Sequence, residues 1–177
     1  YIAVDDLDAA AAKLSALGGT VMRPPADIPD VGRFSVVADP GGGVFILFKG
    51  IGDGPPGSQA IAWRELMAAD GSAMFDFYAE VFGWTLAQTM DLGPMGLYRI
   101  FAIDGVPSGG IMTRPAQAAG PAWQYYLETD SVTAALARAK ENGGSVAMEP
   151  VEVPDGTWVG KAIDPFGALF AVHASVR

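Results

Sequence analysis

The only histidine of this chain and several acidic and aromatic residues lie in segments that read as β-strands. In a strand, residues two positions apart point to the same face of the sheet. Three such pairs occur: Trp63 with Glu65, Trp123 with Tyr125, and Ala171 with His173. Glu65 and His173 carry groups that can transfer protons near neutral pH, so we predict them as the catalytic residues if the protein is an enzyme.

Each of these residues also has a plainer interpretation. Trp and Tyr at alternating strand positions are more often ordinary core residues than ligand contacts. A histidine near the C-terminus is more often satisfied or solvent-facing, and Glu65 can pair with Arg64 or Arg99. The functional interpretation therefore depends on whether the fold brings these side chains to one cavity.

Composition excludes several other classes of chemistry and partner. The chain has no cysteine, which excludes disulfides, thiolate catalysis and Cys-based metal sites. Its formal net charge of −9 opposes binding to nucleic acid or to an anionic membrane. No glycine-rich segment is followed by the Lys-Ser/Thr of a phosphate loop. We predict a cytoplasmic protein without a cofactor, whose partner is a small molecule rather than nucleic acid or membrane.

The strand segments belong to an internal repeat. Many residues at the start of the chain recur 125 positions later in an alignment without gaps. Gly18, for example, corresponds to Gly143. Fifteen positions are identical, and many of them are turn residues. They are Tyr1, Asp5, Ala9, Ala10, Ala12, Gly18, Gly19, Val21, Pro25, Pro29, Asp30, Asp39, Pro40, Gly42 and Phe45.

Each copy predicts a strand, a helix and three further strands. An Asp before each helix suits the N-cap, and a Gly ends the helix. The middle of the chain follows the same order, with Asp70 or Ser72 as the cap and Gly83 as the stop. We therefore predict three βαβββ modules at 1–50, 60–115 and 122–177, with a Pro- and Gly-rich linker at 51–59.

The modules resemble those of the vicinal oxygen chelate superfamily, which includes glyoxalases, bleomycin-resistance proteins and dioxygenases. The resemblance covers nearly the whole chain and is closest to two-domain, glyoxalase-like proteins of actinobacteria. It rests on Asp39-Pro40-Gly41-Gly42, Asp164-Pro165-Phe166-Gly167, Phe77-Tyr78 and Phe82-Gly83-Trp84. It implies an α+β fold in which two modules pair into an eight-stranded, cup-shaped mixed sheet with helices outside.

The resemblance also implies where a metal would bind. Metalloenzymes of the superfamily take one ligand from the first strand and one from the last strand of each paired module. Counting seven residues back from Asp70 and Asp130 gives Trp63 and Trp123. Counting four residues on from Gly167 gives Ala171, and the last strand of the middle module offers Gly110, Ile111 and Met112. None of these side chains is a hard O/N donor, so we predict that the protein binds no metal.

A chain of three modules has an unpaired first module. In a two-domain relative the 1–50 module would be the second half of an N-terminal domain, and the 60–177 segment a complete C-terminal domain. Because Tyr1 falls inside a predicted strand, we expect sequence to be missing before it. Unpaired strand edges favour association, so we predict a homodimer through this module.

Three hypotheses about function stay open. In the first, the protein binds a planar or aromatic small molecule in a cavity formed by Trp63, Met112, Trp123, Tyr125 and Ala171. In the second, it is a glyoxalase-like lyase of the carbon–sulfur class, or an isomerase, that uses Glu65 and His173. In the third, the cup is filled and the protein serves only in protein interactions.

Overall fold

The computed structural model describes residues 1–52 and 61–177. Its elements confirm the α+β fold class and the repeated order of strand, helix and three strands. Most of the predicted linker lies outside the described residues. None of the helices in the described part of the chain has the length and apolar character needed to cross a bilayer.

The first module contains one helix and four strands. The N-cap of its helix is Asp6, whose side chain accepts a hydrogen bond from the backbone N–H of Ala9. The strands form a four-stranded sheet in the order β1-β4-β3-β2. The elements are β1 (Ile2–Ala3), α1 (Leu7–Ala16), β2 (Thr20–Ile28), β3 (Gly32–Ala38) and β4 (Val44–Gly50).

The second module follows the same order. Asp70 caps its helix, and Gly83 ends it in the left-handed conformation at φ 73°, as the sequence predicts. Its elements are β5 (Ile61–Ala68), α2 (Gly71–Phe82), β6 (Thr85–Asp91), β7 (Leu97–Ile103) and β8 (Val106–Thr113).

The third module differs from expectation at its cap. The N-cap residue is Ser131, not Asp130, and its hydroxyl accepts from the N–H of Ala134. The elements are β9 (Ala122–Glu128), α3 (Val132–Glu141), β10 (Ser145–Glu152), β11 (Trp158–Ile163) and β12 (Leu169–Ala174). The strands of the second and third modules are members of an eight-stranded mixed sheet.

The chain divides into two compact units. Among the described residues, unit 1 contains 1–52 and 65–123, and unit 2 contains 61–64 and 124–177. In unit 1, helices α1 and α2 share one hydrophobic core with strands of both modules, including Leu14, Leu47, Leu66 and Ile111. In unit 2, Val132 and Leu136 of α3 pack on one face of the sheet.

Candidate functional site

In unit 1, an acidic and a phenolic side chain meet on the sheet face that the helices do not cover. Leu66 and Ile111 point into the helix-covered core, so their neighbours Glu65 and Gly110 point the opposite way. The hydroxyl of Tyr98 donates to Oε2 of Glu65 at 3.4 Å. Tyr98 is buried, and Glu65 is partly buried.

Gly110 makes room for this phenol. A Cβ atom placed on Gly110 would lie 2.0 Å from Cζ of Tyr98 and 2.2 Å from its hydroxyl oxygen. The ring of Tyr98 therefore occupies the space that a side chain at position 110 would need. Met112, a predicted ligand contact, is buried on the same face and pairs with Tyr98 across β7 and β8.

In unit 2, His173 meets a carboxylate on the face away from helix α3. Val172 and Ala174 pack under the helix, so Ala171 and His173 point to the other face. Strands β9 and β12 are parallel, and their register places His173 beside Glu128. Nδ1 of His173 lies 2.8 Å from Oε2 of Glu128. The carboxylate at His173 is therefore Glu128, while the hydroxyl at Glu65 comes from Tyr98.

The same face of unit 2 carries an apolar neighbourhood. Ala171 is fully buried and pairs with Tyr126, which is also buried. The ammonium of Lys161 lies 5.5 Å from the centroid of the Tyr126 ring. Trp63, a predicted ligand contact at the start of β5, is half-buried.

Trp123 takes a different position from the one expected. It packs in the helix-covered core of unit 1, where its ring meets that of Tyr78 edge to face at 5.5 Å. Its Nε1 donates to the hydroxyl of Tyr78 at 3.3 Å. Tyr125 shares this side of β9 with Trp123, opposite to Tyr126 and Glu128.

The physical reason for this correction is a slip of one residue. The count to the first strand started at Asp130, whereas the N-cap residue of the helix is Ser131. Seven residues before Ser131 is Gln124, the neighbour of Trp123. Because successive side chains of a strand alternate in direction, a slip of one position exchanges the two faces of the sheet.

Tyr125 illustrates the electrostatics of this side of β9. Burial raises the pKa of the Tyr125 phenol above its ordinary value, and the positive charge of Arg64 opposes the increase. The phenol therefore stays neutral over a wide pH range and can only donate or accept a hydrogen bond.

A buried polar network in unit 1 was missed by the sequence analysis. Asp39 is 3 % exposed, and its carboxylate accepts from the N–H of Gly43 at 2.8 Å and from the hydroxyl of Tyr78 at 3.0 Å. Together with Trp123, these bonds form a chain from the first module to α2 and β9. The hydroxyl of Tyr78 thereby serves as donor to Asp39 and acceptor for Trp123.

Two further residues near the site, Tyr98 and Glu128, were also missed. The signal for Tyr98 was the Gly109-Gly110 pair inside a strand, since glycine there marks close approach of another group. The signal for Glu128 was its position two residues after Tyr126 on the alternating strand β9.

The residues at the family's metal positions do not fit a divalent metal. Position 110 has no side chain and lies against the Tyr98 ring, and Ala171 offers only a methyl group. The corrected count leaves Gln124 as a single amide donor, and its Nε2 bonds to the backbone oxygen of Tyr125. No group of three or more His, Cys, Asp or Glu in 1–52 and 61–177 could hold a metal ion.

Comparison with known proteins gives the family. Residues 1–47 and 60–172 match the sequence profile of the Glyoxalase/Bleomycin resistance protein/Dioxygenase superfamily. The chain is 34 % identical over 176 residues to a Mycobacterium bovis protein named "Putative glyoxylase CFP32", covering 97 % of this chain and 67 % of that protein. It is 34 % identical over 180 residues to the anthracycline biosynthesis protein DnrV of Streptomyces peucetius, covering 97 % of this chain and 63 % of DnrV.

Solved structures share the fold at low sequence identity. The Mn(II)-bound glyoxalase from Novosphingobium aromaticivorans has a TM-score of 0.71 and 17 % identity, with 99 % of this chain and 62 % of that chain covered. The 2,2',3-trihydroxybiphenyl 1,2-dioxygenase from Sphingomonas wittichii has a TM-score of 0.68 and 18 % identity, with 97 % and 67 % covered. The chain thus spans about two thirds of the length of these four proteins.

Proposed function

The chain belongs to the glyoxalase/bleomycin resistance/dioxygenase superfamily, and from this premise we propose that it binds a planar aromatic small molecule without a metal. The observation that carries the proposal is the Glu65–Tyr98 pair over Gly110. A phenol and a carboxylate there stand beside a position at which metalloenzymes of this family carry a ligand. The pair offers hydrogen bonds where a metal enzyme would offer coordination.

The names of the relatives suggest a ligand class for the first test. DnrV and DauV, which are both 34 % identical to this chain, are named for anthracycline biosynthesis. Anthracyclines are planar and aromatic, which suits stacking and a few oriented hydrogen bonds. Met112 and Tyr98 of unit 1 are proposed as ligand contacts, and Trp63 and Ala171 remain proposed contacts in unit 2. Tyr125 was also predicted as a contact, but it lies on the face of β9 opposite to Tyr126, the partner of Ala171. Trp123 was the other predicted contact, and its position in the core favours the structural role.

Binding can be measured with daunorubicin by fluorescence titration, in the presence and absence of EDTA. We expect saturable binding that EDTA leaves unchanged. Tyr98→Phe removes the hydroxyl and Glu65→Leu removes the carboxylate of the pair, so each variant should bind about tenfold more weakly. Tyr1→Phe, an exposed change, is the matched control. Binding that requires added Mn²⁺ or Ni²⁺, or no binding across a panel of planar aromatic compounds, would contradict the proposal.

A second candidate is a glyoxalase-like lyase or isomerase that acts on a small carbonyl compound. It is favoured by two groups capable of proton transfer, Glu65 beside the Tyr98 hydroxyl and His173 beside Glu128. Turnover of the methylglyoxal–glutathione hemithioacetal should then be lost in Glu65→Gln and in His173→Ala. Unchanged rates in both variants would remove this candidate.

Two further proposals concern the setting of the protein. We place it in the cytoplasm, and we propose that it forms a homodimer through the first module. The support for the dimer is the exposure of Tyr1 (76 %), Met22 (59 %) and Val44 (51 %) in that module. Light scattering after size exclusion should give twice the mass of the chain, and Val44→Glu should return it to the monomer mass. A monomeric parent protein would contradict the dimer.

A further inference from the structure

His173 is held from one side only. Its Nδ1 lies 2.8 Å from Oε2 of Glu128, and its backbone oxygen accepts from the N–H of Thr129. The side chains of His173 and Glu128 are 21 % and 43 % exposed. Within the described residues, Nε2 of His173 makes no hydrogen bond. The ring is therefore oriented by the protein and still accessible to a ligand.

The carboxylate determines which ring nitrogen carries the proton. A neutral imidazole has one N–H donor and one acceptor nitrogen, and a carboxylate can only accept. Glu128 therefore favours a proton on Nδ1, which leaves the lone pair on Nε2. An acceptor at Nε2 selects a ligand that brings a donor.

The surroundings select further among donors. Val159 pairs with His173 across β11 and β12, and Ala171 and Tyr126 lie on the same face two residues away. These flanks are apolar or aromatic, and one cation lies among them, because Lys161 pairs with Ala171 and its ammonium lies over the Tyr126 ring. The carboxylate of Glu128 is in contact with the ring of His173, and its negative charge would repel an anionic ligand. A neutral aromatic molecule fits these surroundings better than an anion does.

We propose that this face of unit 2 binds a neutral aromatic compound through a phenolic hydroxyl that donates to Nε2 of His173. Glu128 is the positioning residue, because it keeps the acceptor lone pair on Nε2. The inference deepens the proposed small-molecule binding by naming the ligand group and its acceptor, and it rests on that function.

The first experiment needs no ligand. Because His173 is the only histidine in the chain, ¹⁵N spectra of histidine-labelled protein contain a single imidazole. In the neutral form of the ring, observed at alkaline pH, the ¹⁵N shifts should identify Nδ1 as the protonated nitrogen. In Glu128→Ala this tautomer preference should be lost, and in Glu128→Gln, whose amide oxygen can still accept, it should be partly kept. Protonation at Nε2 in the parent protein would overturn the proposal.

The second experiment uses a matched pair of ligands, 2-naphthol and 2-methoxynaphthalene. They have the same ring system, but only the first has a hydroxyl donor. We expect 2-naphthol to bind about fivefold to tenfold more tightly and to shift the Nε2 signal. This preference should disappear in Glu128→Ala and persist in the control Glu152→Ala, which changes an exposed glutamate of β10.

The outcomes separate this inference from the proposed function. Equal affinity for the two naphthalenes would overturn the hydroxyl assignment and leave metal-free aromatic binding standing. Failure of daunorubicin and of both naphthalenes to bind would contradict the proposed function and the ligand assignment together. The tautomer measurement judges the role of Glu128 independently of any ligand.

Discussion

The first and third modules are copies in sequence, yet their shared Asp-Pro-x-Gly turns have different surroundings. Asp39 is buried and bonds to Tyr78, a residue of the second module. Among the described residues, the side chain of its counterpart Asp164 bonds to backbone N–H groups of its own turn alone, at Phe166 and Ala168. Phe166 in that turn is 96 % exposed. The same motif is therefore buried and bonded to a second module in unit 1, whereas in unit 2 it is a surface turn.

The Asp-Pro-x-Gly turn forms from contacts within its own module. In both modules the aspartate accepts a backbone hydrogen bond from the residue four positions later, so turn formation is local. Only Asp39 has a second partner outside its module, since helix α2 lies against the first module. Because Asp39 is buried, any of its hydrogen-bond partners that lost this acceptor would be left unsatisfied away from water, which lowers stability.

We expect the greatest loss of stability when the buried carboxylate of Asp39 is removed. Asp39→Ala leaves the Tyr78 hydroxyl and the Gly43 N–H without their acceptor, and should lower the free energy of unfolding by about 3 kcal/mol. Asp164→Ala exposes its N–H groups to water and should cost about 1 kcal/mol or less. Urea unfolding followed by tryptophan fluorescence measures both. Equal losses would show that the two turns are equivalent after all.

A smaller effect is expected from removing one hydroxyl. Tyr78→Phe keeps the ring stacked on Trp84, at 5.3 Å between centroids, but removes the bonds to Asp39 and Trp123. We expect a loss of about 2 kcal/mol, because a buried carboxylate oxygen and an indole N–H lose their partner. Tyr1→Phe, at an exposed position, should change the urea midpoint little. A Tyr78→Phe variant as stable as the parent would mean that the network contributes nothing.

The helix ends of the two modules should respond alike. Gly18 and Gly143 have φ of +91° and +88°, and a Cβ on either would contact the ring of Pro40 or Pro165 at an ordinary distance. Gly18→Ala and Gly143→Ala should therefore each cost about 1 kcal/mol, from left-handed strain alone. Calorimetry of the two variants tests this. A clear difference between the two losses of stability would mean that the modules also differ in the surroundings of their helix ends.

The smallest effect is pH-dependent and confined to the third module. Hydrogen bonds from the side chain and backbone of Thr157 hold the pKa of Asp155 below its ordinary value. A lowered folded-state pKa stabilises the protein above the unfolded pKa of about 3.9, and this contribution is lost as the pH falls through the folded value. Thr157→Val should therefore destabilise the protein at pH 7 by a small amount, with the difference shrinking below about pH 4. A difference that does not change between pH 7 and pH 3 would contradict this cause.

Much of the fold was predictable because its signals are local. The caps Asp70 and Gly83, and the buried helix positions Met74, Phe77 and Tyr78, follow from spacing and backbone preference. The strand pairs Trp63 with Glu65 and Ala171 with His173 follow from alternation. The cap at Ser131 did not follow, because Asp130 and Ser131 are both good cap residues and only the folded helix selects between them.

The candidate site was predictable in its residue types and less so in its pairings. Glu65 and His173 were proposed from the sequence alone. Their partners Tyr98 and Glu128 were not, because they come from strands whose register the sequence does not reveal. Register also moved Trp123 from the expected site to the core, where it bonds to Tyr78. A one-residue ambiguity at a helix cap is sufficient for that change.

The order of elements within each module follows from the sequence alone, because glycines, prolines and capping residues act over a few positions of backbone. The sequence also shows the lack of hard donors at most of the family's metal positions, which depends only on residue type. The burial of Asp39 against Tyr78, and the exposure of the equivalent turn at Asp164, depend on the tertiary structure. The pairing of His173 with Glu128 depends on it as well. These outcomes depend on which elements pack together, and identical local sequences do not specify their neighbours.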